Sequence, residues 1–410
     1  MRKIKEPEKF DRTQIRNREQ ATAGCGVWIF AARKPASTSM EAAPSIALHC
    51  PHPERIRTPD SACESVRAAV NAIIGSDSDG GTGGVSEAER RAIQLANFSN
   101  WEHEDARLLV YMRQIYIDVG LVERLPIDED KLLSFLLRIY AGYNQVPFHN
   151  FRHCFMVTQM TYSIIWLGNL HAICSDSELV ALLTAAVCHD LDHPGLSNYY
   201  QRLAATKIAS SYSASPLESH HAATALAVLS DPACDILASL TAETRSGVEG
   251  AIQRLILATD MAHHAEILAE FEAAVEAGQF SLQDLSDCSA DSRELLLRIV
   301  LKTADVSNEA RPVATAERWI DCLLAEFFAE ARLEQESDIS PLPFMNPALV
   351  RKAVSQQQFI GGIVLPLSLA LARVLPRTET DIVQPVKRQL EFYTRLVEDE
   401  EREAAVAEED

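Results

Sequence analysis

Ser175-Asp176-Ser177-Glu178-Leu179-Val180-Ala181-Leu182-Leu183-Thr184-Ala185-Ala186-Val187-Cys188-His189-Asp190-Leu191-Asp192-His193-Pro194-Gly195 reads as one buried helix that runs into a histidine–aspartate turn. Ser175 and Glu178 have the spacing of a capping box, in which each side chain satisfies a backbone N–H left free at a helix start. Leu179, Val180, Leu182, Leu183, Ala186 and Val187 follow at helical spacing, and Pro194-Gly195 stops the segment. His189 and Asp190 therefore fall at the last turn of a buried helix. Outward from this stretch, from about residue 90 to 396, apolar residues recur every three or four positions and period-two alternation is rare. The expectation is an all-α, compact multi-helix domain without internal repeats.

Two further elements share the chemistry of His189 and Asp190. One is Phe148-His149-Asn150-Phe151-Arg152-His153, and the other is Ala304-Asp305-Val306-Ser307-Asn308. His153 shares an apolar stripe with Val157, Met160 and Ile164, and Asp305 continues the stripe of Leu297 and Leu301. An ionised carboxylate on an apolar face is costly unless a cation or hydrogen bonds meet it. Singly, each residue reads as a core histidine or a helix-end acid. Jointly, His153, His189, Asp190 and Asp305 supply two imidazoles and two carboxylates to one metal, leaving positions open for water. Zn²⁺ suits that set, and the second oxygen of Asp190 can bridge to an oxygen-rich site for Mg²⁺ or Mn²⁺.

His149 lies four residues before His153, so the two share a face if the stretch is helical. An imidazole that binds no metal is suited to donate a proton to a leaving oxygen. Glu326, on the face of Trp319, Cys322 and Leu323, reads either as its orienting partner or as a structural acid paired with Arg or Lys. His193, Glu218, His220 and His221 are further candidates around the site. Adjacent histidines diverge, so at most one of His220 and His221 faces it. His263 reads as a surface residue and Asp192 as an acid at a helix end or behind the ligands.

Composition bounds the function. The 410 residues carry a formal net charge of −20, which argues against nucleic-acid binding. Nine cysteines without a Cys-x-x-Cys pair point to reduced thiols and a cytoplasmic setting. The N-terminus lacks the apolar core of a signal peptide. The apolar patch Cys25 to Ala32 is too short to span a bilayer, and Ile360 to Leu375, with Pro366, Ser368 and Arg373, reads as a core helix, so no membrane span is expected. Residues 1–90, with the Gly/Ser/Asp run from Gly75 to Gly84, read as a largely disordered extension, and residues 397–410 as an acidic tail or solvated helix end.

These residues resemble the catalytic domain of class I 3′,5′-cyclic nucleotide phosphodiesterases over about residues 91–396. The family's His-Asn-x-x-His, His-Asp-x-Asp-His-Pro-Gly and Asp-x-Ser-Asn elements correspond to His149–His153, His189–Gly195 and Asp305–Asn308. Within the family, Val146 to Phe155, Thr184 to Gly195 and Ile256 to Ala262 resemble the cGMP-specific type 9 enzymes. The resemblance implies an all-α catalytic domain of the histidine–aspartate metal phosphohydrolase type. It implies the four ligands named above with Asp190 bridging, and His193, Glu218, His221 and Thr259 in the surrounding water network. It assigns His149 as general acid with Glu326 as its partner. The base is expected between Phe359 and Leu323, hydrogen-bonded by Gln356, with Asn308 and Glu309 nearby and Glu309 meeting the guanine N–H groups. Three departures from the type 9 pattern stand at Gln358, where Gly is usual, Ser219, where Asn is usual, and Phe327, where Tyr is usual.

The function that follows is hydrolysis of 3′,5′-cyclic GMP to 5′-GMP, with a metal-bridging hydroxide attacking phosphorus and His149 protonating the departing 3′ oxygen. A homodimer is the family's expectation. Gln356 can donate and accept in either orientation, so cyclic AMP or dual specificity is the alternative substrate reading. A different nucleotide phosphohydrolase and a catalytically weak cyclic-nucleotide-binding regulator are the alternatives of other classes.

Overall fold

The computed structural model describes residues 57–75, 84–280, 287–337 and 339–409. The Ser175–Glu178 box forms as its spacing predicts. Ser175 Oγ accepts from the Glu178 N–H at 3.3 Å, and the Ser175 N–H donates to Glu178 Oε2 at 2.7 Å. The helix runs Asp176–Cys188, and every residue from Leu179 to Cys188 is buried. His189 is its C-cap and Asp190 begins the following turn, so both stand just past the helix rather than in its last turn. Asp192 and Gly195 then take left-handed backbone angles, φ +64° and +71°, which a continuing right-handed helix forbids.

The helix Phe151–Leu167 lies at the centre, with 14 of its 17 residues buried. A helix covered on nearly all sides belongs to the core. It packs against Asp176–Cys188, Ala290–Asp305, Glu87–Gln94 and Asp105–Asp118. Asp176–Cys188 in turn packs on Ala242–Leu257, which packs on Pro216–Leu229. The buried Arg311 guanidinium ties this arrangement together, donating to the carbonyls of Ala96, Phe98 and Met156 at 3.1, 2.6 and 3.1 Å. Among the described residues there is no strand, only an isolated antiparallel bridge between Arg57 and Asn144. The architecture is all-α.

The N-terminal expectation shifts at its edge. Asp60–Gly75, inside the expected extension, is a helix packed on Asp105–Asp118 and Glu129–Gly142 with Val70 fully buried. The packed unit thus begins well before residue 91, because this helix carries an apolar face that the polar run after it masks in the sequence. Residues 1–56 and 76–83, which hold most of the expected extension and linker, lie outside the described residues. At the other end the helix Gln384–Glu409 continues through the acidic segment and residues 401–406 are exposed, which is the solvated-helix reading of that segment.

Lys352–Val374 is a continuous helical stretch, with a mean hydropathy of 1.4 in its most apolar window; it is long and apolar enough to cross a membrane by length and composition. Here it packs on Ala290–Asp305, His264–Glu276 and Gln384–Glu409, burying Ile363, Leu367 and Leu371. Its middle, Ile360–Val364, is a π turn closed by the Leu365 N–H on Ile360 O. A second π turn, Glu379–Val383, is closed by the Gln384 N–H on Glu379 O. Each is followed two residues later by a proline, Pro366 or Pro385. Proline has no N–H to donate one turn back, and a widened turn accommodates that missing bond.

Candidate active site

Three element ends meet: the start of Phe151–Leu167, the turn after Asp176–Cys188, and the end of Ala290–Asp305. Asn150 caps the first, its side chain accepting from Arg152 N at 2.9 Å and His153 N at 3.2 Å. His149 therefore precedes the helix instead of sharing its face with His153. The loop still brings the rings together, with centroids 5.8 Å apart.

His153, His189, Asp190 and Asp305 each present one ligand atom, all within 4.8 Å of one another. His153 Nε2 and His189 Nε2 are 3.3 Å apart, and each is 3.3 Å from Asp305 Oδ1. Asp190 Oδ2 stands 3.0 Å from His189 Nε2 and 3.5 Å from His153 Nε2. Ligands at about 2.05 Å around a tetrahedral centre lie roughly 3.3 Å from each other, so the cluster fits a divalent cation. His189 Nδ1 donates to Ala186 O at 3.0 Å, which turns the Nε2 lone pair into the cluster. Burial opposes charge on His189, yet the Asp190 and Asp305 carboxylates raise it well above the ordinary imidazole range. The same imidazoles hold Asp190 and Asp305 below the usual carboxylate range against their burial. The group is built for positive charge.

A second group, Asp190, His193 and His221, meets the same spacing. Asp190 Oδ1 faces His221 Nε2 at 3.8 Å, so the two oxygens of Asp190 address different groups. His221 Nδ1 donates to Leu191 O at 2.7 Å, again directing Nε2 toward the carboxylate. His220 turns away and meets Asp192 Oδ2 at 2.9 Å, so His221 is the member of the pair that faces the site. Asp192 also accepts from Asn144 Nδ2 at 3.1 Å, behind the ligands. His263 is exposed, as its sequence reading has it. Burial, then the charge of His149, pushes His193 well below its ordinary value, so it is neutral.

His149 closes the site from the other side. Its Nδ1 hydrogen-bonds Glu326 Oε1, while Glu326 Oε2 accepts from the backbone N–H groups of Phe148 at 2.9 Å and His149 at 3.2 Å. Glu326 is 3% exposed and pairs with this histidine, not with an Arg or Lys. Burial works against both charges, yet their attraction prevails: His149 rises to about 9 and Glu326 falls to about 2. The His149 ring stacks on His193 with centroids 4.1 Å apart.

Glu218 takes Asn198 Nδ2 on both oxygens, at 3.2 and 2.9 Å, and burial followed by Asp260 lifts its carboxyl to about 8. The Thr259 hydroxyl is spent on Ile256 O at 2.7 Å. Gln356 is buried with Oε1 free of any protein donor. Phe359, Leu323 and Asn308 are half-buried, the first two packed on the core. Glu309 is buried against Gln389, whose Nε2 lies 3.4 Å from Oε2, and burial lifts its carboxyl to about 7.

The sequence profile described as 3'5'-cyclic nucleotide phosphodiesterase matches residues 148–385, which contain every residue of this arrangement from Phe148 to Gln356. The chain belongs to that family. Over 313 residues it is 42% identical to the high affinity cGMP-specific 3',5'-cyclic phosphodiesterase 9A of Drosophila melanogaster, covering 76% of this chain and 20% of that protein. Over 306 residues it is 37% identical to the protein of the same name from Homo sapiens, covering 74% and 50%. The chain thus spans between a fifth and a half of the length of these two relatives. Among solved structures, the phosphodiesterase domain of the RhoPDE fusion protein from the choanoflagellate Salpingoeca rosetta superposes with a TM-score of 0.72. It has 28% identity and covers 77% of this chain and all of that one.

The three departures from the type 9 pattern sit outside the phosphodiesterase ligand cluster. Gln358 is exposed, Ser219 Oγ donates to Ala214 O at 3.0 Å, and Phe327 packs edge-on against Phe344. Asn144, Asn198, Asp260 and Glu330 contribute to the site's surroundings without having been singled out in the sequence. Glu330 had a legible signal, one turn beyond Glu326 on the same helical face. Asn144 had none.

Proposed function

We propose that the chain hydrolyses 3′,5′-cyclic GMP to 5′-GMP. The observation that carries the reaction is the juxtaposition of the His153–His189–Asp190–Asp305 cluster with the His149–Glu326 pair. Bound divalent ions would supply charge to the phosphoryl oxygens and acidify a water. Zn²⁺ suits the two-imidazole, two-carboxylate group, and Mg²⁺ or Mn²⁺ suits the group shared through Asp190. His149, held charged by Glu326, then delivers a proton to the 3′ oxygen as its bond to phosphorus breaks. Glu326 fixes the ring by taking Nδ1, which leaves Nε2 as the proton-bearing atom free to reach substrate.

For the base, the free acceptor of Gln356 supports a nucleobase N–H in that position, with Phe359 and Leu323 on its two faces. Guanine is favoured over adenine by the relatives, named as cGMP-specific, and by Glu309, whose carboxylate suits guanine N–H donors. The cysteine usage supports a cytoplasmic protein.

Parallel titrations of cGMP and cAMP with purified protein in Mg²⁺ or Mn²⁺ test the proposal. A large excess of kcat/KM for cGMP is the expected outcome. Comparable values would keep the reaction and remove the base preference, and no turnover of either by metal-loaded protein would overturn both. Asp190→Asn should lose metal and activity together; normal metal content in that variant, by elemental analysis, would remove Asp190 from the ligand set.

A further inference from the structure

Glu326, Glu330 and Glu334 follow one another at four-residue spacing on the helix Val313–Glu336, and all three are buried. Such carboxylates need donors to offset their loss of water. Glu326 has His149 and the loop before it. Glu334 has no protein donor on either oxygen. Glu330 directs both of its oxygens to one residue: Ser197 N–H donates to Oε2 and Ser197 Oγ to Oε1, each at 2.5 Å. The same Ser197 hydroxyl accepts from Tyr200 N at 3.2 Å, capping the short helix Asn198–Leu203.

Ser197 ends the turn that carries the site's histidine. Within that turn Gly195 N donates to His193 Nδ1 at 3.0 Å, and Asn144 Nδ2 donates to His193 O at 2.9 Å. His193 stacks on His149. Immediately after Ser197, Asn198 holds the Glu218 carboxylate and, through Oδ1, the Leu217 N–H at 2.9 Å. One clamp on Ser197 therefore fixes the His193 side and the Glu218 side of the turn together.

We propose that Glu330 is a positioning residue for this reaction: by gripping Ser197 it holds the His193 ring against His149 and so sets the orientation of the proton donor. The effect on turnover rests on the reaction proposed above, whereas the effect on ring placement does not. Glutamine can reproduce the grip, its Oε1 accepting from Ser197 N–H and its Nε2 donating to Ser197 Oγ. Alanine cannot.

The test compares Glu330→Ala, Glu330→Gln and Ser197→Ala in the full, metal-loaded chain. Misplacing a reacting group by about an ångström can cost on the order of 100-fold, so E330A should lose about ten- to 100-fold in kcat with KM changed less than about threefold. E330Q should stay within about threefold of the parent. S197A removes the hydroxyl contact and keeps the Ser197 N–H on Oε2, so it should lose part of what E330A loses, and the double variant should be no worse than E330A alone, as expected of residues acting through the same contact. S197A removes a single oxygen and keeps the test open should E330A fail to fold. In NMR spectra of ¹⁵N-histidine protein, the His149 and His193 ring signals should shift in E330A and S197A but not in E330Q. Unchanged kcat and ring signals in E330A and S197A would overturn the proposal, as would an E330Q variant as impaired as E330A. A parent protein that hydrolysed no cyclic nucleotide would defeat the reaction instead, and the ring signals would still decide the clamp.

Discussion

The His149–Glu326 pair is the most sharply defined residue-scale feature, because a single carboxylate takes the ring nitrogen and two backbone N–H groups. His149 is raised from 6.5 to about 9, so its part of the pairing is fully present below about pH 6.5 and is lost as pH rises through about 9. Glu326 is lowered from 4.5 to about 2, so its part is present above about pH 4.5 and is lost as pH falls through about 2. The two describe one interaction, fully formed between about pH 4.5 and 6.5. An NMR titration of the metal-free protein should place the His149 midpoint near 9. Glu326→Gln should lower it, since burial then acts with one opposing charge removed. Metal loading should lower it as well, because the Asp190 and Asp305 charges that help raise it are then neutralised. A midpoint unmoved by Glu326→Gln would exclude Glu326 as the group that holds the ring charged. At this scale the chemistry was legible: the four ligand candidates and the pair were named from residue type, apolar stripe and family resemblance. The shared face of His149 and His153 was conditional on a helix through both, and that condition is not met, because Asn150 begins the helix after His149. Asparagine just ahead of an apolar run is a cap signal, and it decides that condition from the sequence.

At the scale of elements, function depends on how the chain leaves the helix Asp176–Cys188. The turn reverses through two left-handed residues, and a Cβ built on Gly195 would stand 3.0 Å from Val146 Cγ1 and 3.6 Å from the Glu326 carboxyl carbon. Gly195→Ala should therefore cost stability by about 1–2 kcal/mol from its positive φ alone. It should also depress kcat, because the strain falls between the His149 loop and Glu326. Thermal melts and steady-state kinetics check both, and a variant matching the parent in each would show that the turn is slack. The helices were legible because buried faces impose a three- to four-residue period and the capping box marks a start. Their ends were less so. A helix end is decided by turn geometry and by what the next segment packs on, and neither leaves a periodic trace. The two π turns show the exception, since a proline with no N–H announces a local change of hydrogen bonding.

For the molecule as a whole, the informative discrepancy is the N-terminal boundary. The polar run after Gly75 suggests that everything before about residue 90 is apart from the domain, yet Asp60–Gly75 buries Val70 and packs Cys63, Val66, Ile73 and Ile74 against the core. Composition averaged over a long segment hides one amphipathic helix. Just ahead of it, Thr58 Oγ1 accepts from Gln145 Nε2 at 2.7 Å, Arg57 bridges to Asn144, and the Arg57 guanidinium reaches Asp192 at 3.4 Å. Those partners lie beside His149 and Asp190, so the segment touches the back of the site as well as the core. A fully buried aliphatic side chain contributes about 1.5–3 kcal/mol, so a chain beginning at residue 84, which keeps the helix Glu87–Gln94 and its Ser86 cap, should be less stable than one beginning at residue 57 by a few kcal/mol. The loss should come from the helix, because an ion pair as exposed as that of Arg57 is worth roughly 0–1 kcal/mol. Arg57→Ala should accordingly melt close to the parent while the shorter chain melts well below it. Equal melting of the two truncated chains would show that the helix adds nothing to the core. A large loss in Arg57→Ala alone would move the weight to its contact with Asp192, making the segment's hold on the site, rather than its apolar face, the reason it is packed there.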